Sequence, residues 1–296
     1  MAVGVLHLAT EGKINLDESV SKYLTDTKFI NKWNATTPVT IRHLLNHTSG
    51  LEDLRLWQMF SMKASPTDDL EYGFTKNPSV LKIRTRPGSM FSYSNMGYTL
   101  LGMVIEAVTK ESYENYLDKN LLLPLEMKSS TFKFVSQVGN NADSSLAMGH
   151  LDKQNTFPAL PIYLRPAGQF TTTAYDMGLF LRFLMGDGIL NGEPFIKKEL
   201  LSEIGNPQNT EAVLKGLEIG YAFGAMKRDR YGHIGIAHSG NIVGYRAMIY
   251  MFPNSKKAFF ISIVFIKNMR CRNSSLCHKF TIPYVSKNFC RFLKWC

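Results

Sequence analysis

Residues 233–266 read HIGIAHSGNIVGYRAMIYMFPNSKKAFFISIVFI, and this stretch decides the fold class. Three runs, His233 to Ala237, Tyr245 to Met251 and Ala258 to Ile266, are rich in β-branched and aromatic residues. They are separated by Ser239-Gly240-Asn241 and Pro253-Asn254-Ser255, so the pattern predicts an antiparallel meander. Upstream the period changes from strand to helix. Met1, Val5 and Leu8 share one helical face with Ala2, Leu6 and Ala9 beside it, ending at Gly12. Thr40 caps a short helix through Leu45, and Arg86-Pro87-Gly88 is a turn. Gly97 through Thr109 reads as an amphipathic helix with Leu100, Leu101, Val104, Ile105 and Val108 inward. Pro166-Ala167-Gly168 reads as a loop, and Thr173-Ala174-Tyr175-Asp176 as a capping box opening a helix through Leu184. Helices dominate the middle and strands the end, which gives an α+β chain.

The composition, 45% apolar and 20% charged over 296 residues, is that of an ordinary globular protein with no low-complexity tract or internal repeat. Lys and Arg exceed Asp and Glu by ten, which taken alone suggests a nucleic-acid or anionic-membrane partner. Seven of the basic residues, Lys267, Arg270, Arg272, Lys279, Lys287, Arg291 and Lys294, fall after Ile266 with no acid among them. The first 266 residues therefore carry only 10 − 7 = +3, and no nucleic-acid partner is expected. All four cysteines, Cys271, Cys277, Cys290 and Cys296, lie in the same tail. A cysteine-free body fits both a reducing compartment and an exported enzyme, so localisation stays open. The start shows no basic segment or cleavage site of a secretory signal. The strongest apolar run, Ala258 to Ile266, is far too short to span a bilayer as a helix.

Two triplets carry the chemistry. In Tyr93-Ser94-Asn95, on a loop entering a helix, a phenol able to relay a proton and an amide able to position a substrate can face one cleft. In His238-Ser239-Gly240, at a strand end, glycine admits a ligand close to the backbone, and the N–H of Asn241 just beyond can supply half of an oxyanion hole. Each alone is weak: a Tyr-x-Asn triplet is more often a turn with a core tyrosine. His43 and His47 have the spacing of a zinc pair on a helix, but no Glu follows His43, so both read as structural and no metal is expected. The tail cysteines lack the close pairs of a zinc ribbon. Gly186-Asp187-Gly188 follows a helix, so it is a turn rather than a nucleotide loop.

Order strengthens the signal. Glu11-Gly12-Lys13-Ile14-Asn15-Leu16-Asp17, then Ile41-Arg42-His43-Leu44-Leu45-Asn46-His47-Thr48-Ser49-Gly50-Leu51, then Pro87-Gly88 with Phe91-Ser92-Tyr93-Ser94-Asn95-Met96-Gly97-Tyr98 follow one another. Ala167-Gly168 before Thr172-Thr173 and then His238-Ser239-Gly240 complete the series. This succession resembles the serine β-lactamase-like superfamily, in its D,D-peptidase, class C β-lactamase and carboxylesterase branch, over residues 1–264. The resemblance implies an antiparallel sheet flanked by helices with a helical lobe, and an acyl-enzyme hydrolase acting on a small peptide, amide or ester without a cofactor. It implies that Tyr93 moves the proton, Asn95 orients base and substrate amide, and His238 lines the carboxylate side. Ser239 and Gly240 would lie along the substrate, and the Asn241 N–H would face the oxyanion. Histidine rather than lysine in the third motif is closer to the peptidases and esterases than to most β-lactamases.

The resemblance places the nucleophile motif Ser-x-x-Lys, and the first strands of the sheet, before Met1. Three other matches, Ser19 with Lys22, Ser79 with Lys82 and Ser130 with Lys133, read as surface serines. The expected organisation is thus a β-lactamase-like domain over 1–264 lacking its N-terminal strands, with an uncovered sheet edge, and a basic, Cys-rich divergent tail over 265–296. The expected function is a peptidase- or esterase-type hydrolase inactive as written; the alternatives are a non-catalytic pseudoenzyme that binds or scaffolds, or a pseudogene product.

Overall fold

The computed structural model describes residues 1–264 except Phe60, Lys153 and Tyr231. The divergent tail, with its cysteines and basic residues, and the end of the last apolar run lie outside the described residues. Five strands, β1 (Gly220–Ala222), β2 (Ala225–Arg230), β3 (His233–Ile242), β4 (Tyr245–Phe252) and β5 (Lys257–Ile263), form one sheet in sequence order, every pair antiparallel. The predicted meander is therefore present, with one correction to its punctuation. Ser239-Gly240-Asn241 is not a break: β3 runs through it to Ile242, and the reversal is the two-residue Val243-Gly244 loop between the paired Ile242 and Tyr245. Gly244 has φ +82°, the left-handed conformation that such tight hairpins require. The sequence pattern did not reveal β1 and β2, because the end of β2, Arg228-Asp229-Arg230, is polar and exposed and shows no apolar alternation. Among the described strands, β5 has a neighbour on one side only.

The helical part is built as the periodicity predicts. Helix α1 (Ala2–Thr10) buries Val5, Leu6 and Leu8 completely. Helix α2 (Ile41–Leu45) starts at Thr40, whose Oγ1 accepts the N–H of His43 while the His43 ring accepts the N–H of Thr40, closing the capping box with a histidine. Helix α3 (Asn95–Thr109) is capped by Ser94, whose Oγ accepts the Gly97 N–H at 3.3 Å, and ends at Lys110 in left-handed geometry. Its Leu100, Leu101, Val104 and Ile105 are fully buried, each contributing about 1.5–3 kcal/mol of transfer free energy. Val108 is only half-buried, and the short helix α4 (Tyr113–Leu117) follows.

Two local expectations change. Pro166-Ala167-Gly168 belongs to a single helical turn, α5 (Arg165–Gly168), because proline is well placed in a first turn where its missing N–H costs nothing. At α6 (Ala174–Leu184), Thr173 caps the helix through the Asp176 N–H, but the Asp176 carboxylate does not complete the box. It accepts instead from the Ser129 N–H at 2.8 Å and the Ser130 hydroxyl at 2.7 Å, tying the linker to the helix. No helix among the described residues is long and apolar enough to cross a membrane.

Candidate active site

All six residues singled out in the sequence line one cavity of about 520 Å³. Tyr93 and Asn95 reach it from the entrance of α3, and His238, Ser239, Gly240 and Asn241 from the second half of β3. The register explains why this half of β3 is open. Pairing with β2 stops at Ala237 opposite Met226, while pairing with β4 continues to Ile242, so one backbone edge faces the cavity. Sequence reasoning missed Tyr221 and Arg228, which line the cavity from β1 and β2, Leu54 from the loop after Gly50, and Met59 from the helical turn Leu56–Met59. No motif marked them; only the fold brings them there.

The turn Asn46-His47-Thr48-Ser49-Gly50 forms the floor beneath Tyr93. Its backbone is held by Ser92 N–H on the His47 carbonyl at 2.7 Å and Gly88 N–H on the Thr48 carbonyl at 2.8 Å. The Asn46 side-chain oxygen accepts the Phe223 N–H at 3.0 Å, fastening the turn to the sheet. Gly50 has φ +78°, and a Cβ added there would stand 2.4 Å from the carbonyl oxygen of Thr85. Left-handed strain and backbone overlap together should cost about 2–3 kcal/mol in Gly50→Ala. A urea melt checks this, and a change below 0.5 kcal/mol, the usual size at unconstrained positions, would refute it.

His47 is not on a helix with His43, since α2 ends at Leu45 and His47 lies in the left-handed region at φ 53°. The zinc spacing is thereby broken, and among the described residues no group of three potential ligands occurs. The His47 ring is buried in an aromatic cage, 4.0 Å from the Tyr93 ring, 4.9 Å from Tyr98 and 4.6 Å from Tyr221 between centroids. Its Nδ1 accepts the Ser94 N–H at 3.1 Å, which assigns the proton to Nε2, a buried atom without a hydrogen-bond partner. Burial, with the nearby His238, lowers its pKa to about 3. His238 is likewise pushed below the usual imidazole value by burial. Both rings are neutral at neutral pH.

Tyr93 is shifted the other way: burial and then the charge of Asp53 hold its phenol above the usual value, so it is protonated at neutral pH. Asn95 is clamped by Asp53, whose Oδ1 accepts the Asn95 backbone N–H at 2.7 Å. The Asn95 amide nitrogen donates to Asp53 Oδ1 and Oδ2 at 3.0 and 3.1 Å. With its amide nitrogen turned onto the Asp53 carboxylate, the Asn95 side-chain oxygen takes no part in that contact and is an acceptor open to a ligand.

None of the three Ser-x-x-Lys matches lines the cavity. Ser19 accepts the Ser21 N–H, and Lys22 pairs with Glu18 at 2.8 Å. Ser79 donates to the Asn77 side chain. Ser130 is half-buried rather than a surface serine, bonded to Asp176 and Thr172 as a linker tie.

The sequence model of the Beta-lactamase family matches residues 1–264. Among curated relatives, Protein flp of Staphylococcus aureus (strain MW2) is 30% identical over 209 residues, covering 69% of this chain and 41% of that protein. Penicillin-binding protein 4* of Bacillus subtilis (strain 168) is 25% identical, covering 90% of this chain and 58% of its own length. The chain thus spans about half the length of the curated relatives it matches. The solved octameric penicillin-binding protein homologue from Pyrococcus abyssi aligns over 89% of this chain and 59% of its own, at 25% identity and a TM-score of 0.68.

Proposed function

The chain belongs to the beta-lactamase family, and from that premise we propose that its cavity is the substrate-binding half of an acyl-transfer site for a small peptide or amide. That family of hydrolases acts on amide or peptide substrates. The observation that carries the reading is the convergence of the two distant triplets, Tyr93-Ser94-Asn95 and His238-Ser239-Gly240, on one cavity. Where a nucleophile completes the site, Tyr93, protonated, would relay a proton to the leaving group. The Asn95 side-chain oxygen accepts the substrate amide N–H. A neutral His238 sets the side facing a substrate carboxylate, the substrate lies along Ser239 and Gly240, and the Asn241 N–H is one oxyanion donor. The near balance of charge over residues 1–266 supports a small-molecule substrate rather than a nucleic acid.

The family's nucleophile is the serine of Ser-x-x-Lys, and no such serine lines the cavity among the described residues. A polypeptide of these 296 residues is therefore expected to bind substrate without forming an acyl-enzyme, the behaviour of a pseudoenzyme. Purified protein treated with a fluorophosphonate probe should gain no mass, while saturating D-alanyl-D-alanine should raise its melting temperature, since only the folded pocket binds. A covalent adduct, on Ser239 for example, would overturn the non-acylating reading. Absence of any ligand-dependent shift would overturn the pocket itself.

A further inference from the structure

His47 lines no part of the cavity, yet it grips the segment that does. Its carbonyl accepts the Ser92 N–H at 2.7 Å and its Nδ1 accepts the Ser94 N–H at 3.1 Å, so one residue ties the backbone on either side of Tyr93. The same imidazole lies 4.0 Å from the Tyr93 ring, tilted by 30°. Tyr93 itself is 39% exposed, so packing from the solvent side does not fix the direction of its phenol. Tyr221, the cavity residue of β1, stands edge-on to both rings, 4.6 Å from His47 and 6.1 Å from Tyr93. The backbone of His47 is left-handed, φ 53°, an unfavoured conformation for a residue with a side chain, and in it both carbonyl and ring meet the Tyr93 segment.

Filling space does not account for an imidazole at this position. His47 is 1% exposed, and its Nε2 has no hydrogen-bond partner among the described residues, a desolvation cost that a phenylalanine would not carry. What imidazole supplies and a hydrocarbon ring cannot is the Nδ1 acceptor, which the Ser94 N–H engages. Capping of α3 does not require that bond. The Ser94 Oγ caps the helix and donates to the Glu52 carbonyl at 2.8 Å, so the helix start is held without His47. We propose that His47 is a positioning residue of the site: its Nδ1 holds the Ser94 backbone, and its ring holds the phenol, in the arrangement that presents Tyr93 and Asn95 to a ligand. The assignment rests on the reading of the cavity as a ligand site. It makes the turn below Tyr93 part of recognition although His47 touches no ligand.

The test is calorimetric titration of D-alanyl-D-alanine into the unmodified chain, His47→Phe and His47→Asn, at a temperature where the melt of each protein shows it folded. Phenylalanine keeps the ring and removes the acceptor. Asparagine removes the ring, tolerates the left-handed backbone and offers Oδ1 as many bonds from the backbone as Nδ1. The expected result is about tenfold weaker binding in His47→Phe, the worth of one hydrogen bond, with recovery to within about threefold of the unmodified chain in His47→Asn. Binding by His47→Asn that is no tighter than by His47→Phe overturns the assignment while leaving the cavity reading intact. A residue that only fills the cage is better replaced by phenylalanine, which packs the space that asparagine leaves empty. His47→Leu serves as the second acceptor-free variant if His47→Phe does not fold. Binding by none of the proteins, the unmodified chain included, fails the cavity reading and this assignment together.

Discussion

Lowering the pH from 6.5 to 4 is expected to remove about 3 kcal/mol of folding stability through His47 alone, and about 4 kcal/mol by pH 3. The ring is packed among Tyr93, Tyr98 and Tyr221, with Nδ1 occupied by the Ser94 N–H and a pKa lowered by burial to about 3. Below about pH 6.5 the unfolded chain takes up a proton that the folded chain refuses, so stability falls with acid at about 1.4 kcal/mol per pH unit until the folded ring itself titrates. His43 and His238, both lowered chiefly by burial, tilt in the same direction. Glu106, raised by burial, opposes them: its contribution is present in acid and lost as pH rises through its folded value. Urea melts at pH 7, 5 and 4 read the slope. His47→Gln, whose amide oxygen still accepts a backbone N–H, should flatten it by about 1.4 kcal/mol per pH unit over this window. An unchanged slope would mean that His47 is not buried neutral.

Arg165→Met is expected to cost about 3–5 kcal/mol. Arg165 and Glu114 are almost completely buried, joined through Nε and Oε1 at 2.8 Å, and a second guanidinium nitrogen donates to the Asp68 carbonyl. Removing the arginine strands a carboxylate out of water, and that desolvation dominates the loss; the pair itself is worth far less. Arg165→Met combined with Glu114→Leu should therefore recover most of the stability, a coupling that denaturant melts of the four proteins measure directly. Additive losses would show that packing, not the stranded charge, sets the cost. Because α5 also carries Ala167 and Gly168 to the cavity wall, the single variant should lose ligand-dependent stabilisation even where it remains folded.

What the sequence made legible follows from the range of the forces involved. Thr40 and Thr173 act on the next three residues, so their caps could be read locally and those helices begin where they predict, whereas α3 begins at Asn95, two residues before the predicted Gly97, under a Ser94 cap that the pattern did not mark. The apolar runs of β3, β4 and β5 likewise announce a sheet. The break placed at Ser239-Gly240-Asn241 was misplaced because glycine and asparagine mark an open strand edge as readily as a turn, and only the start of β2, whose pairing with β3 reaches no further than Met226, distinguishes the two. Tyr93, Asn95 and His238 were legible through their neighbours in a familiar order. Asp53, Tyr221 and Arg228 were not, since their relation to the cavity comes from pairings between distant segments that no local pattern encodes. The aromatic cage that keeps His47 neutral was equally hidden: a histidine four residues after another looks the same whether it meets a metal or a tyrosine.

The bond from the Phe223 N–H to Asn46 spans 177 positions of chain, and this sets an order of events during refolding. Strands β3 to β5 are joined by turns of a few residues, so their pairing closes small loops, and hairpins of that kind form in microseconds. Fastening β1 to the turn under Tyr93 closes a very long loop, which must lose its configurational freedom before the contact returns anything. The cavity takes walls from both ends of that loop. Strand signals in circular dichroism should accordingly recover before ligand-binding capacity after dilution from denaturant, and the interval between the two times the last closure of the chain.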